Sequence, residues 1–153
     1  MATTVADLVA AGSAAKVVVD TDLLVYSTVP SGPFHVEARD TLNALVAASV
    51  ERWASQQILR EYLATMTRLK APITAIFNNI RNFRGSYRIA QDSAVVFDEL
   101  LALLAAIPCG GKQVHDANIV ATMLVHGVSN LLTHNVADFK RFGHLIYVIP
   151  LVP

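Results

Sequence analysis

Charge is scarce in this sequence: Asp, Glu, Lys and Arg make up 16% of 153 residues, against 54% hydrophobic residues. That balance excludes a disordered chain, which needs the reverse, and it implies elements buried on more than one face. Neither sign is in excess. Twelve basic and twelve acidic side chains leave a formal net charge of zero, which argues against a generic polyanion binder. The one cysteine, Cys109, can close no internal disulfide, so nothing points to an oxidising compartment. Long apolar runs are missing too. A membrane helix needs roughly 18–20 such residues, and the longest run here, Leu100 to Ile107, has the length of a core helix. Val5 to Ala15 is small and apolar, but no Lys or Arg precedes it and Asp7 interrupts it, the opposite of a signal peptide. A cytoplasmic protein without a membrane partner is the expectation. Repeats, low-complexity tracts and linker-like stretches are absent, so one domain is expected over residues 1–153.

What is present is an alternation of strand and helix signals. Val17-Val18-Val19 is a β-branched run ending at Asp20, which predicts a buried strand, and a short helix follows at Leu23 to Tyr26 with Thr21 or Asp22 as its cap. After Ser31-Gly32-Pro33, the spacing of Ala38, Leu42, Leu45, Val46 and Val50 predicts a helix. Trp53-Ala54-Ser55 reads as a second strand and Gln57 to Arg68 as a helix. Ile73 to Phe83 reads as another helix, ended by Gly85, with Tyr87 to Ala90 a third strand. Helices over Asp92 to Ile107 and Asp116 to His126, a strand at Asn130 to Thr133, a helix at Val136 to Phe142 and a last strand at Leu145 to Ile149 complete the pattern. Such alternation predicts an α/β fold with a parallel sheet covered on both faces. Ligands in such sheets bind beyond the carboxyl ends of the strands, where the strand order reverses.

Four acids fall where that rule looks for a site. Asp20 closes the first strand, Glu61 lies early in the helix after the second, Asp116 opens a helix, and Asp138 follows the strand ending at Thr133. Clustered carboxylates repel one another, and a divalent cation removes the penalty. Mg²⁺ and Mn²⁺ favour such hard oxygen ligands and can activate a water and polarise a phosphodiester. Each acid also has a plainer reading: Asp20 and Asp116 as helix caps, Glu61 as a partner for Arg68, and Asp138 as a solvated acid beside Lys140 and Arg141.

The arrangement as a set resembles a known family. Val17-Val18-Val19-Asp20-Thr21-Asp22-Leu23-Leu24-Val25-Tyr26 resembles the opening motif of PIN domains, and Ile58-Leu59-Arg60-Glu61-Tyr62-Leu63 their second. His115-Asp116-Ala117-Asn118-Ile119-Val120-Ala121-Thr122 resembles the third, and Leu131-Leu132-Thr133-His134-Asn135-Val136-Ala137-Asp138-Phe139 the fourth. The motifs occur in the family's order from about Lys16 to the end. The resemblance implies a three-layer α/β/α sandwich with a parallel sheet of four to five strands. It implies an endoribonuclease that uses Mg²⁺ or Mn²⁺ and leaves 5′-phosphate and 3′-hydroxyl ends. Length and the lack of other domains are most similar to VapC-type toxins, which form homodimers and are restrained by a small antitoxin. Asp20 and Asp116 would be the central metal ligands, Glu61 would help hold the metal or its water, and Asp138 would be an outer or second-metal ligand. Thr133 and Asn135 would support them as hydrogen-bond donors. Asp22 stands where the family often has Asn or Ser, and it either strengthens the metal site or caps the helix. Residues 1–15 extend beyond the family's usual start, with a helical turn or two at Thr4 to Ala11. The same motifs also suit an RNA-processing nuclease without a toxin role, or a non-catalytic binding module on the same fold.

Half of the cations lie between Arg60 and Arg88. Arg81, Arg84 and Arg88 are candidates for contact with RNA phosphates or a partner protein, with Phe83 or Tyr87 stacking on a base. His115 and His134 adjoin the acids, but no HxxxH or Cys/His spacing points to zinc. Cys109 reads as a small filler residue.

Overall fold

The computed structural model describes residues 1–152. Five strands form one sheet in the order β3-β2-β1-β4-β5, namely β1 (Lys16–Val19), β2 (Glu51–Ser55), β3 (Arg88–Ala90), β4 (Asn130–Thr133) and β5 (Tyr147–Pro150). Every pairing is parallel. Val17, Val18 and Val19 of the central strand are all buried, as a strand covered on both faces must be.

Among the described residues, eight helices supply the cover. They are α1 (Val5–Ala11), α2 (Thr21–Thr28), α3 (His35–Ala47), α4 (Gln56–Arg68), α5 (Ile73–Ser86), α6 (Ala94–Ala106), α7 (Gln113–His126) and α8 (Val136–Phe139). The chain steps from β1 to β2 to β3 in one direction and then returns past β1 to β4 and β5. Right-handed crossovers therefore place α2–α5 on one face and α6–α8 on the other. The packing agrees, with α2 against α3 and α4, α4 against α5, and α6 against α7. This is the expected α/β architecture, a three-layer arrangement around a parallel sheet. The direction changes between β1 and β4, so the crevice opens where Asp20 and Thr133 end those strands.

Local chemistry explains most element boundaries. Ser55 accepts from the Ile58 amide at 3.1 Å and starts α4, and Ser93 starts α6. Thr4 and Asp7 form a reciprocal capping box on α1, whose Leu8 is fully buried, so the N-terminal extension packs into the core. Gly127 closes α7 at φ 69°, a left-handed position natural to glycine.

Several boundaries differ from the sequence reading. Asp20 caps α2, in line with its plainer reading, and Thr21 and Asp22 do not. α5 runs through Gly85 to Ser86, because a glycine in a last turn costs only about 1 kcal/mol. α7 starts three residues early at Gln113, which puts Asp116 inside its first turn rather than at a cap. β5 begins at Tyr147 and includes Pro150, which an edge strand tolerates. No helix among the described residues is long and apolar enough to cross a membrane.

Candidate active site

Beyond the carboxyl ends of β1 and β4 lies a cavity of about 490 Å³. Asp20, Asp22, Glu61, Asp116 and Asp138 all line it, so four scattered acids and a fifth meet in one place. Its other wall is apolar, formed by Val25, Tyr26, Val29, Pro33, Leu69, Ile119 and Phe139.

Asp20 is the most constrained of the acids, at 7% exposed. Its Oδ1 accepts from the Thr21 amide at 2.8 Å and its Oδ2 from the Thr133 hydroxyl at 2.8 Å. Thr133, fully buried, is itself fixed by the Asn135 amide, which donates to its Oγ1 at 3.0 Å. Capping α2 and facing the cavity are thus one geometry, since the start of a helix favours a carboxylate there. Asp22 accepts from the amides of Leu23 at 2.8 Å and His134 at 3.1 Å, which ties the start of α2 to the turn after β4. Glu61 makes no ion pair with Arg68. Its Oε1 accepts from Gln57 Nε2 at 2.9 Å and its Oε2 from the Thr21 hydroxyl at 3.1 Å.

The electrostatics record the crowding. Burial first, then the charge of Asp22, push Asp20 up to about 7, against the opposing bonds from Thr133 and Thr21. Burial also raises Asp22, while amide bonds from His134 and Leu23 pull it back. Asp116 is pushed up to about 6 by burial and by the charges of Asp138 and Glu61, with His115 and Arg141 offsetting part of the rise.

An all-oxygen donor set that resists its own ionisation suits a hard divalent cation. The acids share a cavity without forming a finished cage: among the described residues, no group of three or more His, Cys, Asp or Glu side chains stands ready to hold an ion. That spacing is compatible with Mg²⁺ or Mn²⁺, since Mg²⁺ keeps several waters and needs one or two direct carboxylates.

Arg81, Arg84 and Arg88 lie away from the acidic cavity. Arg84 lines a separate groove with Arg60, Leu63 and Ile80, and shares an adjoining one with Arg81 and Phe77. Arg88 pairs with Glu51 at 3.4 Å beside Trp53. Phe83 and Tyr87 are too buried to stack on a base; Phe83 packs edge-on against both Tyr62 and Tyr87. The cavity instead has Arg68 and Thr65 on its wall, and Glu61, Thr65 and Arg68 share one face of α4. His134 is held between Tyr26 and Phe34, with ring centroids at 5.7 and 4.3 Å. Cys109 is half-buried against the core.

No family model matches the chain, and no curated protein matches it. Solved structures do. VapBC2 from Rickettsia felis, solved bound to a DNA fragment from its promoter, aligns with a TM-score of 0.66 at 19% identity, covering 87% of this chain and 96% of that one. The chain has the fold of a VapC-type PIN domain. A Klebsiella pneumoniae toxin–antitoxin complex aligns over 88% of this PIN-like chain and 97% of its own, at TM-score 0.61 and 21% identity. Mycobacterium tuberculosis VapC20, a sarcin–ricin loop cleaving toxin, aligns over 75% and 86% at TM-score 0.61 and 18% identity.

Proposed function

We propose that this PIN-like chain is a Mg²⁺- or Mn²⁺-dependent endoribonuclease and the toxin of a toxin–antitoxin pair. The observation that carries the reading is the meeting of Asp20, Glu61, Asp116 and Asp138, with Asp22, in one cavity at the strand-order switch point. Asp20 and Asp116 would hold the cation, with Glu61 and Asp138 engaging it directly or through its waters. When bound, the cation neutralises the cavity, polarises the phosphodiester and lowers the pKa of a water.

The chain's own residues prepare for that. Bonds from Thr21 and Thr133 favour the ionised form of Asp20 against its burial. Arg141 lowers the acidity cost at Asp116, and Arg68 on the cavity wall offers a phosphate its first positive contact in a neutral protein. The apolar wall from Val25 to Pro33 excludes water from one side of the cavity and gives a base or a partner side chain a surface to pack on.

Structural neighbours in toxin–antitoxin complexes support an antitoxin as partner. The exposed apolar residues Phe97 and Leu101, one turn apart on α6, suit a second copy of the chain in a homodimer. The test is RNA cleavage by purified protein with Mn²⁺, with EDTA, and by Asp116→Asn. Cleavage that survives both EDTA and the substitution would remove the metal mechanism. Co-expression with the product of any small adjacent gene should suppress that cleavage if the protein is a toxin.

A further inference from the structure

Gln57 and Asn118 have no part in that reading and do not line the cavity, yet Gln57 bonds directly to Glu61, one of its acids. Gln57 is 5% exposed, and its amide is committed in three directions. Nε2 donates to Glu61 Oε1 at 2.9 Å and to the His115 carbonyl at 2.8 Å, and Oε1 accepts from Asn118 Nδ2 at 2.7 Å. These bonds settle which way the amide faces, because exchanging its oxygen and nitrogen would set acceptor against acceptor at both Glu61 and His115. The second Glu61 oxygen is held from α2 by the Thr21 hydroxyl at 3.1 Å. An apolar side chain could fill the same buried position without partners, and a buried amide is costly unless bonded. The bonds here go to an acid of the cavity and to the carbonyl next to Asp116.

We propose that Gln57, oriented by Asn118, is a positioning residue that fixes the Glu61 carboxylate at the cavity and locks it to the start of α7, which carries Asp116, so that Glu61 would be ready to engage a cation bound there. The inference rests on the metal-dependent reading above. Glu61 and Asp116 lie on different helices, and the Gln57 amide makes them one frame before any cation arrives.

The experiment is calorimetric titration of Mn²⁺ into the metal-free parent, Gln57→Met, Asn118→Ala and Glu61→Gln, and into each of the first two changes combined with Glu61→Gln. Methionine keeps the volume and removes the donors. Gln57→Met should weaken Mn²⁺ binding about tenfold to a hundredfold, the usual range for losing a group that orients a metal ligand. In the Glu61→Gln background the same change should matter by less than about twofold, because the residue it orients no longer ligates. Equal losses in both backgrounds would mean a purely structural role and overturn the inference, as would unchanged affinity in Gln57→Met. If Gln57→Met does not fold, Asn118→Ala decides: weaker binding that vanishes in the Glu61→Gln background supports the inference, and parental affinity overturns it. A parent that binds no Mn²⁺ at all sinks the metal reading itself, which is a distinguishable result.

Discussion

Replacing Asp20 with asparagine should make the metal-free protein more stable at neutral and alkaline pH while abolishing its stabilisation by metal. Asp20 titrates at about 7 in the fold against an ordinary 3.8. A folded carboxyl that holds its proton more tightly than the unfolded one favours the fold below pH 3.8. That advantage is lost as pH rises through 7, and above 7 the full charge is carried against burial and Asp22. A shift of this size corresponds to about 4 kcal/mol. Asparagine removes the charge at every pH and keeps the bond from the Thr21 amide, but the Thr133 hydroxyl loses its acceptor, at a cost of about 1 kcal/mol. The net gain at pH 8 is then roughly 3 kcal/mol, or about 6–12 °C in melting temperature for a chain of this length. The assay is thermal unfolding by circular dichroism in EDTA at pH 8 and pH 4, repeated at pH 8 with Mn²⁺. At pH 4 the advantage should nearly vanish, and Mn²⁺ should raise only the parent's melting point. An Asp20→Asn protein that melts below the parent at pH 8, or gains as much from Mn²⁺, would refute the reasoning.

Other consequences follow from the same geometry. Thr133→Val removes the bond that opposes the rise at Asp20, so the acid limb of the cleavage profile should move about one pH unit higher; an unmoved limb would exclude this role. Because Asp20 and Asp116 must shed protons raised to about 7 and about 6, apparent Mn²⁺ affinity should climb from pH 5 to 8, by up to about tenfold per unit for each proton lost. A flat titration series would contradict it. Arg68→Gln should raise KM for RNA severalfold and reduce the slope of log affinity against log salt by about one, with kcat unchanged. Leu8→Ala should cost about 2–5 kcal/mol in urea unfolding if α1 is part of the core, and a loss below about 1 kcal/mol would show a detachable extension.

Much of the fold was legible because its signals are local. The valine run ending at Asp20, the strand before Thr133 and the helices between them are short-range patterns, and the switch-point rule then groups the acids. Errors came where a local pattern had two meanings. Asp116 reads as a cap from its neighbours, yet α7 begins three residues earlier at Gln113. Glu61 and Arg68 share a helix face, but the Glu61 oxygens are taken by Gln57 and by the Thr21 hydroxyl from another helix. Phe83 continues the buried row of Ile76 and Ile80 at helical spacing, so its place in the core was readable from period alone. Gln57 was not readable at all. Its burial and its bond to Asn118, 61 residues away, depend on the fold bringing the starts of α4 and α7 together, which no local pattern encodes.

The central claim is that these carboxylates form a divalent-cation site, and the most direct test is anomalous diffraction from crystals soaked in Mn²⁺. The account requires a peak in the cavity within bonding distance of Asp20 and Asp116 carboxylate oxygens, lost in Asp116→Asn crystals. A cavity without a peak, or an ion bound elsewhere with these acids unengaged, would contradict it.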